Sequence, residues 1–352
     1  MERAKKDGIK RNILITVMYI CAVLIAVFIS FALTANAWVR LLLLLCGLLI
    51  GWTLSALFHE GGHVLAAKKN GFEVASFSFL IFKYDKQAIK KFSVSFKNPY
   101  LGATDVIPTV KDDLDKRYAR TVAGGILGSV VASAILVAGF IIFIVLAAPV
   151  GAIFFCGMPL SLVILIINAV PGFVPDNDGS TLLTMLTNGK EKQAILRLLE
   201  ITEELYQGKS YAEIDAELFS CEADLPESIK ARFSLLKLRR AEELFEPKDI
   251  VAALEELQNA EDYLDDEAAI EMLFANLLIG DAEKIRDLEY LLDKCDTLPG
   301  ASGMRTLVYY AAYKGDKKYV GATLKSAKKI CSKAYLKGDG KFNLEMLNRV
   351  EV

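Results

Sequence analysis

Two hydrophobic patterns divide this chain. Before about residue 175 it runs through long apolar stretches; from Lys190 onward apolar residues recur every three or four positions among Glu, Lys and Ala. A bilayer crossing needs about 20 consecutive apolar residues, and the stretches near 12–34, 38–66, 121–147 and 152–172 meet that length. Four membrane spans are therefore expected. Between the second and third, Phe72 to Lys97 alternates as strands do. Phe77, Phe79 and Ile81 fall on one face, Ser76, Ser78 and Leu80 on the other; Phe92, Val94 and Phe96 alternate with Ser93 and Ser95, and Asp85-Lys86 is the expected turn. The fold class read from this pattern is mainly α. A polytopic α-helical membrane domain over 1–180 carries a small cytoplasmic β-hairpin or sheet at about 72–97, and an α-helical, repeat-like domain follows over 181–352.

In the second half the periodicity places helices at 180–188, 190–206, 211–219, 226–245, 248–262, 266–279, 282–295, 302–314, 317–334 and 342–350. Ser210-x-x-Glu213 reads as a capping box, and Asp224-x-x-Glu227 as its Asp-capped relative with Pro226 in the first turn. Gly280-Asp281 and Gly315-Asp316 each end one helix and open the next, 35 residues apart. That period suggests stacked helical hairpins of the tetratricopeptide type, although the signature residues of that repeat are missing. Such a stack offers a concave surface to a protein partner, either a substrate or a regulator. Its removal is then expected to impair cleavage of a native substrate more than that of a generic one. The Lys/Glu-rich faces are most simply solvated surface.

Charge orients the spans. The first eleven residues carry Arg3, Lys5, Lys6, Lys10 and Arg11, and residues 67–120 carry eleven more Lys and Arg from Lys68 to Arg120. The opposite connections, near 35–37 and 148–151, carry none; Arg40 lies just inside span two. By the positive-inside rule both termini and the 67–120 segment are cytoplasmic, in a multi-pass protein of the cell membrane. Ala35-Asn36-Ala37 resembles a signal-peptidase site, but the preceding run is longer than a usual signal h-region. The net charge of −2 argues against nucleic-acid partners. Six cysteines without a CxxC pair indicate neither a disulfide framework nor a zinc knuckle.

The chemistry lies in His59-Glu60-Gly61-Gly62-His63, which holds both histidines of the chain. Four residues along a helix is slightly over one turn, so the two imidazoles share a face and are able to bind one zinc ion. Zinc lowers the pKa of a bound water to about 7; Glu60, one position on, would take that water's proton and return it to the leaving amine. An accidental HExxH is common in soluble helices, but this one sits in a span, where ionisable residues are costly and usually functional. Counted from Trp38, His59 lies about 30 Å down its helix, near the cytoplasmic end of the hydrocarbon. Gly61 and Gly62 suggest that another helix or the substrate approaches closely there.

A third ligand is available where span four ends, in Asn168-Ala-Val-Pro171-Gly-Phe-Val-Pro175-Asp176-Asn177-Asp178-Gly179. Its prolines break the helix at the depth expected for the histidines. HExxH on one span with N-x-x-P and Asp-Gly at the end of a later one resembles the site-2 protease family of intramembrane zinc metalloproteases. The resemblance covers 12–180. It implies His59, His63 and Asp178 as zinc ligands, Glu60 as general base, and Asn168 as a holder of the scissile carbonyl or its oxyanion. Ala123-Gly124-Gly125-Ile126-Leu127-Gly128 also looks like the family's small-residue segment, and plain helix packing would give the same pattern. The commonest family spacing points instead to Asp176. Asp178 is preferred because Gly179 allows a tight turn.

The expected activity is zinc-dependent hydrolysis of peptide bonds in membrane-embedded proteins or peptide precursors near the cytoplasmic face. The alternative is a membrane scaffold or receptor that binds zinc but turns nothing over. A transporter is disfavoured, since no inverted repeat is visible and the polar residues cluster at one end.

Overall fold

The computed structural model describes residues 2–34, 36–86, 88, 91–94, 100–145, 151–174, 177–259, 266–295 and 301–350. The chain divides into two compact units. One comprises Met1–Lys83, Ser93–Val106 and Asp113–Asn188, the other Tyr84–Phe92, Ile107–Asp112 and Gly189–Val352.

The first unit is built on α1 (Glu2–Leu33), α2 (Ala37–Lys69), α3 (Leu114–Val145), α4 (Gly151–Ala169) and α5 (Asp178–Leu186). Four stretches are long and apolar enough to cross a membrane: Asn12–Ala32, Ala37–Lys69, Leu114–Ile142 and Gly151–Ala169. Only 22% to 33% of the most apolar window of each is buried within the protein, and Phe28, Phe31, Trp38, Leu42 and Leu127 are exposed. An apolar surface of that extent requires an apolar surrounding. Helix α3 starts seven residues before the expected span, because its polar first turns from Leu114 continue the same helix. Asn36 caps α2 by accepting from the amides of Trp38 and Val39. Arg40 turns back to the Thr34 carbonyl and stacks on Phe31.

Helix α2 packs against α3 and α4, and α1 lies on α4. Gly62 and Gly124 bring α2 and α3 together, since a Cβ on either would run into the backbone of the other. Gly61 faces open space, so only one of the two motif glycines serves helix packing. Buried hydroxyls tie the bundle further: Ser161 on α4 lies 2.7 Å from Ser55 on α2 and 3.0 Å from Ser133 on α3.

The connection between α2 and α3 forms β1 (Phe72–Leu80), β2 (Phe82–Asp85), β3 (Phe92–Val94) and β4 (Tyr100–Pro108), in the order β3-β2-β1-β4. This small antiparallel sheet departs from the expected hairpin in two ways. The first turn falls at Leu80–Ile81, where Leu80 takes a left-handed φ of 53°, and Asp85-Lys86 leads into the second. The sheet also extends past Lys97 into β4, which pairs with β1. Ser76 and Ser78 are buried and find partners on that added strand, the Asp105 carboxylate and the Ala103 carbonyl. Ser95 and Phe96 lie outside the described residues.

The second unit holds α6 (Lys190–Gln207), α7 (Glu227–Leu244), α8 (Pro247–Gln258), α9 (Asp266–Ile279), α10 (Ala282–Leu288), α11 (Leu292–Cys295), α12 (Ser302–Tyr313), α13 (Lys317–Cys331) and α14 (Lys337–Asn348). Sequence neighbours pack in pairs, α7 with α8, α9 with α10 and α12 with α13, while α14 returns to α6. Gly280 and Gly315 both take left-handed φ values, and Asp281 and Asp316 both cap the next helix. The two junctions thus share one geometry.

Three expectations fail here. Residues 211–219 form turns and a single 3-10 stretch, Ala216–Phe219, with Glu213 accepting from the Ser210 amide but capping no α-helix. Asp224 pairs with Lys190 rather than capping α7, whose N-cap is Pro226. The helix expected over 282–295 breaks at Glu289–Leu291, a 3-10 turn. Residues 260–262 of the expected helix 248–262 lie outside the described residues.

Within this unit Lys111 lies among Glu200, Glu203 and Glu204 of α6. Its core contains a charged cluster: Arg305 on α12 and Glu271 on α9, neither exposed, pair at 2.8 Å. Arg239 on α7 reaches Glu271 at 3.4 Å and Glu267 at 2.6 Å.

Candidate metal centre

His59 and His63 stand one turn apart on α2, their rings 4.9 Å between centroids and nearly perpendicular. The Nε2 atoms of both converge on one oxygen of Asp178, at 3.2 Å and 3.1 Å. Their outer nitrogens are held by α3: His59 Nδ1 lies 2.9 Å from Ser129 Oγ and His63 Nδ1 lies 3.1 Å from the Thr121 carbonyl. A carbonyl only accepts, so His63 carries a hydrogen on Nδ1, and in the neutral ring Nε2 then holds the lone pair that a metal needs.

Asp178 Oδ2 is buried, and the polar groups facing it are the two Nε2 atoms. With both imidazoles neutral and their hydrogens on Nδ1, three lone-pair atoms crowd together here, and a cation would relieve their repulsion. The ligand atoms of the three residues lie within 4.8 Å of one another, and the group is able to hold a metal ion. Gly125 of α3 leaves the space, since a Cβ there would fall against His63 Nε2 and Asp178 Oδ2.

The local sequence explains how Asp178 arrives. It is the first residue of α5, and Asn177 is the N-cap, accepting from the Ser180 amide at 2.8 Å. The Asn177 amide nitrogen also donates to the carbonyls of Ile167 (2.6 Å) and Val170 (2.8 Å), fastening the start of α5 to the end of α4. A carboxylate in the first turn of a helix is favoured by the helix dipole. Gly179 plays a different part from the one expected. It is helical, and its missing side chain lets α5 lie against the Ala169 carbonyl. Asp176 lies outside the described residues.

Glu60 is 5% exposed and accepts from the Thr104 hydroxyl at 2.6 Å. Gly102, at a left-handed φ of 123°, passes so close that a Cβ would strike the Glu60 carboxylate. Both belong to β4. Asn168 lines the same cavity, with its amide nitrogen donating to Ile164 of its own helix at 3.0 Å. That cavity, of about 590 Å³, is bounded by His59, Glu60, His63 and Asp178, by Gly102–Thr104 of β4, and by the apolar Ile15, Tyr19, Trp52 and Ile164.

Sequence reasoning missed Thr104, Ser129, Asn177, Gly102 and the Thr121 carbonyl. Only the Asn-Asp-Gly run carried a local signal, that of an N-cap at 177. No protein-family model, no curated protein and no solved structure matches this chain.

Proposed function

We propose that this protein is an intramembrane zinc metalloprotease of the site-2 protease type, with His59, His63 and Asp178 as ligands and Glu60 as general base. The observation that carries the reading is the buried Asp178 oxygen set between the Nε2 atoms of His59 and His63, with Glu60, next to His59 in the chain, facing the same cavity. Ligands at about 2.0–2.1 Å in a tetrahedral zinc site stand about 3.3 Å apart, close to the two Nε2–Oδ2 separations of 3.2 Å and 3.1 Å. Two imidazoles and one carboxylate form a donor set suited to a catalytic zinc that keeps an open position. Zinc held there would supply a water acidic enough to lose its proton near neutral pH.

This chain's own groups do the rest. Glu60 accepts the proton and delivers it to the leaving amine, with Thr104 holding the carboxylate in place. The free donor capacity of the Asn168 side chain serves the scissile carbonyl or its oxyanion. Substrates are membrane-embedded proteins or peptide precursors, cut near the cytoplasmic face with both termini of the enzyme cytoplasmic. A helical substrate hides its peptide bonds, so it must unwind. Strand β4 ends the β3-β2-β1-β4 order and passes Glu60 through Gly102 and Thr104, so an unwound segment added to its outer edge would lie beside the base. Prolines at outward amides of β4 should then abolish cleavage in a folded protein; unchanged cleavage removes that edge from the reaction.

The deciding experiment compares detergent-purified wild type and Glu60→Gln on a panel of single-span substrates, with zinc content measured in parallel. Cleavage by wild type alone, lost on chelation, with one zinc per chain in both proteins, is the expected result. Zinc in both proteins and cleavage in neither would favour the silent scaffold. A Glu60→Gln protein that cuts like wild type would overturn the role of Glu60.

A further inference from the structure

Resting on the metal-centre reading above, we propose that Ser129 is a positioning residue that sets the ring orientation of His59, and through it the affinity of the site for its metal.

A neutral imidazole has one N–H. For His59 to offer Nε2 toward Asp178, that hydrogen must sit on Nδ1, and a buried N–H needs an acceptor. Ser129 Oγ stands 2.9 Å away, and Ser129 is fully buried. The Gly125 carbonyl is also within reach of this ring, so the hydroxyl is the adjustable member of the pair. His63 has a fixed counterpart in the Thr121 carbonyl at 3.1 Å. A single helix, α3, therefore orients both ligands, one through backbone and one through a side chain.

Local packing explains how a serine reaches the ring. Gly128, the preceding residue, has no Cβ where one would collide with the Phe58 carbonyl and the His59 Cα. That close approach brings the next side chain onto His59. A bland alternative exists, since serine is also a common small residue at helix crossings in membranes. Ser133, one turn further along α3, supplies the internal comparison. It is likewise buried between helices, but its hydroxyl meets Ser161 at 3.0 Å rather than a histidine. Outer-shell partners of ligating histidines typically contribute 10- to 100-fold in metal affinity.

The test measures zinc affinity of the full chain in detergent by competition with a chromophoric chelator, with the visible spectrum of the cobalt-loaded protein as a second readout. Ser129→Ala keeps nearly the same shape and removes the hydroxyl that fixes the ring, so its zinc affinity should fall by about 10- to 100-fold. Its cobalt spectrum should also shift. Ser133→Ala should keep wild-type affinity and spectrum, and Ser129→Thr, which retains the hydroxyl, should recover part of the loss. Equal losses in Ser129→Ala and Ser133→Ala would reduce Ser129 to packing and overturn the proposal. Wild-type affinity in Ser129→Ala would do the same while leaving the metal centre standing. A wild type that binds no zinc would overturn the centre and this proposal together. Should Ser129→Ala fail to fold, Ser129→Cys carries the same comparison, since a thiol is a far weaker acceptor.

Discussion

Each unit of this protein buries a cluster of ionisable side chains, and the two clusters differ in what they lack. In the second unit Arg239 and Arg305 face Glu271 and Glu267, with Glu242 wholly buried beside Glu271. Cations and anions are both supplied by the chain, although Glu242 Oε1 and Oε2, Glu271 Oε2 and Arg305 Nε and Nη1 make no hydrogen bond among the described residues. In the first unit His59, His63 and Asp178 bring lone pairs to one point, and no Lys or Arg of the described residues pairs with Asp178. Burial of charge alone is therefore a poor sign of a binding site. A convergence of acceptors with no chain-supplied cation is the informative sign.

The sharpest way to break this comparison is metal content. Asp178→Ala should take bound zinc from about one per chain to near zero, while Glu271→Gln should leave it unchanged, both measured on purified full-length protein. Zinc retained in Asp178→Ala would place the ion elsewhere and erase the distinction.

Stability should respond in the opposite sense. Removing one partner of a buried ion pair costs about 3–5 kcal/mol, so Glu271→Gln should sharply destabilise the second unit. Glu242→Gln should cost far less. Burial, and next the adjacent Glu271 carboxylate, hold the Glu242 carboxyl well above the ordinary carboxylate range, which favours the protonated form that glutamine imitates. Burial opposes the charge of Glu271, but Arg305 and Arg239 outweigh it and keep its pKa below the ordinary value. Pulse proteolysis of the 189–352 segment within the full chain would rank the two variants. Equal losses would mean that both carboxyls are charged.

The smallest effect is on pH. Because the folded state holds the Glu242 proton more tightly than the unfolded state, its stabilising contribution is complete below about pH 4.5, the ordinary value. That contribution is lost as pH rises toward the folded pKa. Resistance of the wild-type second unit to pulse proteolysis should thus decline as pH rises from about 4.5 toward the folded pKa, with a shallower slope in Glu242→Gln. Identical slopes would assign the titration to another group.

Much of the fold was legible because local rules govern it. Apolar runs of membrane length stand out in any sequence, and the helices at 190–207, 227–244, 266–279 and 302–313 followed from periodicity within one or two residues at either end. The errors fell where tertiary partners override local pattern. Asp224 had a capping signature, but Lys190, 34 residues away, engages its carboxylate instead. Strand β4, at 100–108, was unforeseen because its pairing with β1 joins residues about 30 apart. The serines of β1 became an inward face only because β4 supplies Asp105 and the Ala103 carbonyl.

At the candidate centre the division is similar. The sequence by itself determined that His59, Glu60 and His63 share one turn of a long apolar helix, because helical geometry makes residues four apart neighbours. It also determined that a Pro-broken segment with Asn177-Asp178-Gly179 follows the last long apolar helix. Only the tertiary structure decided that Asp178 Oδ2 meets both Nε2 atoms, that Thr104 holds Glu60, and that Ser129 and the Thr121 carbonyl hold the histidines. Those contacts span 44 to 119 residues, and they depend on how closely α2 approaches α3 and α5 approaches the end of α4, which missing Cβ atoms at Gly62, Gly124 and Gly128, and at Gly179, permit. Local periodicity carries no information about which backbones will touch; close packing between helices does.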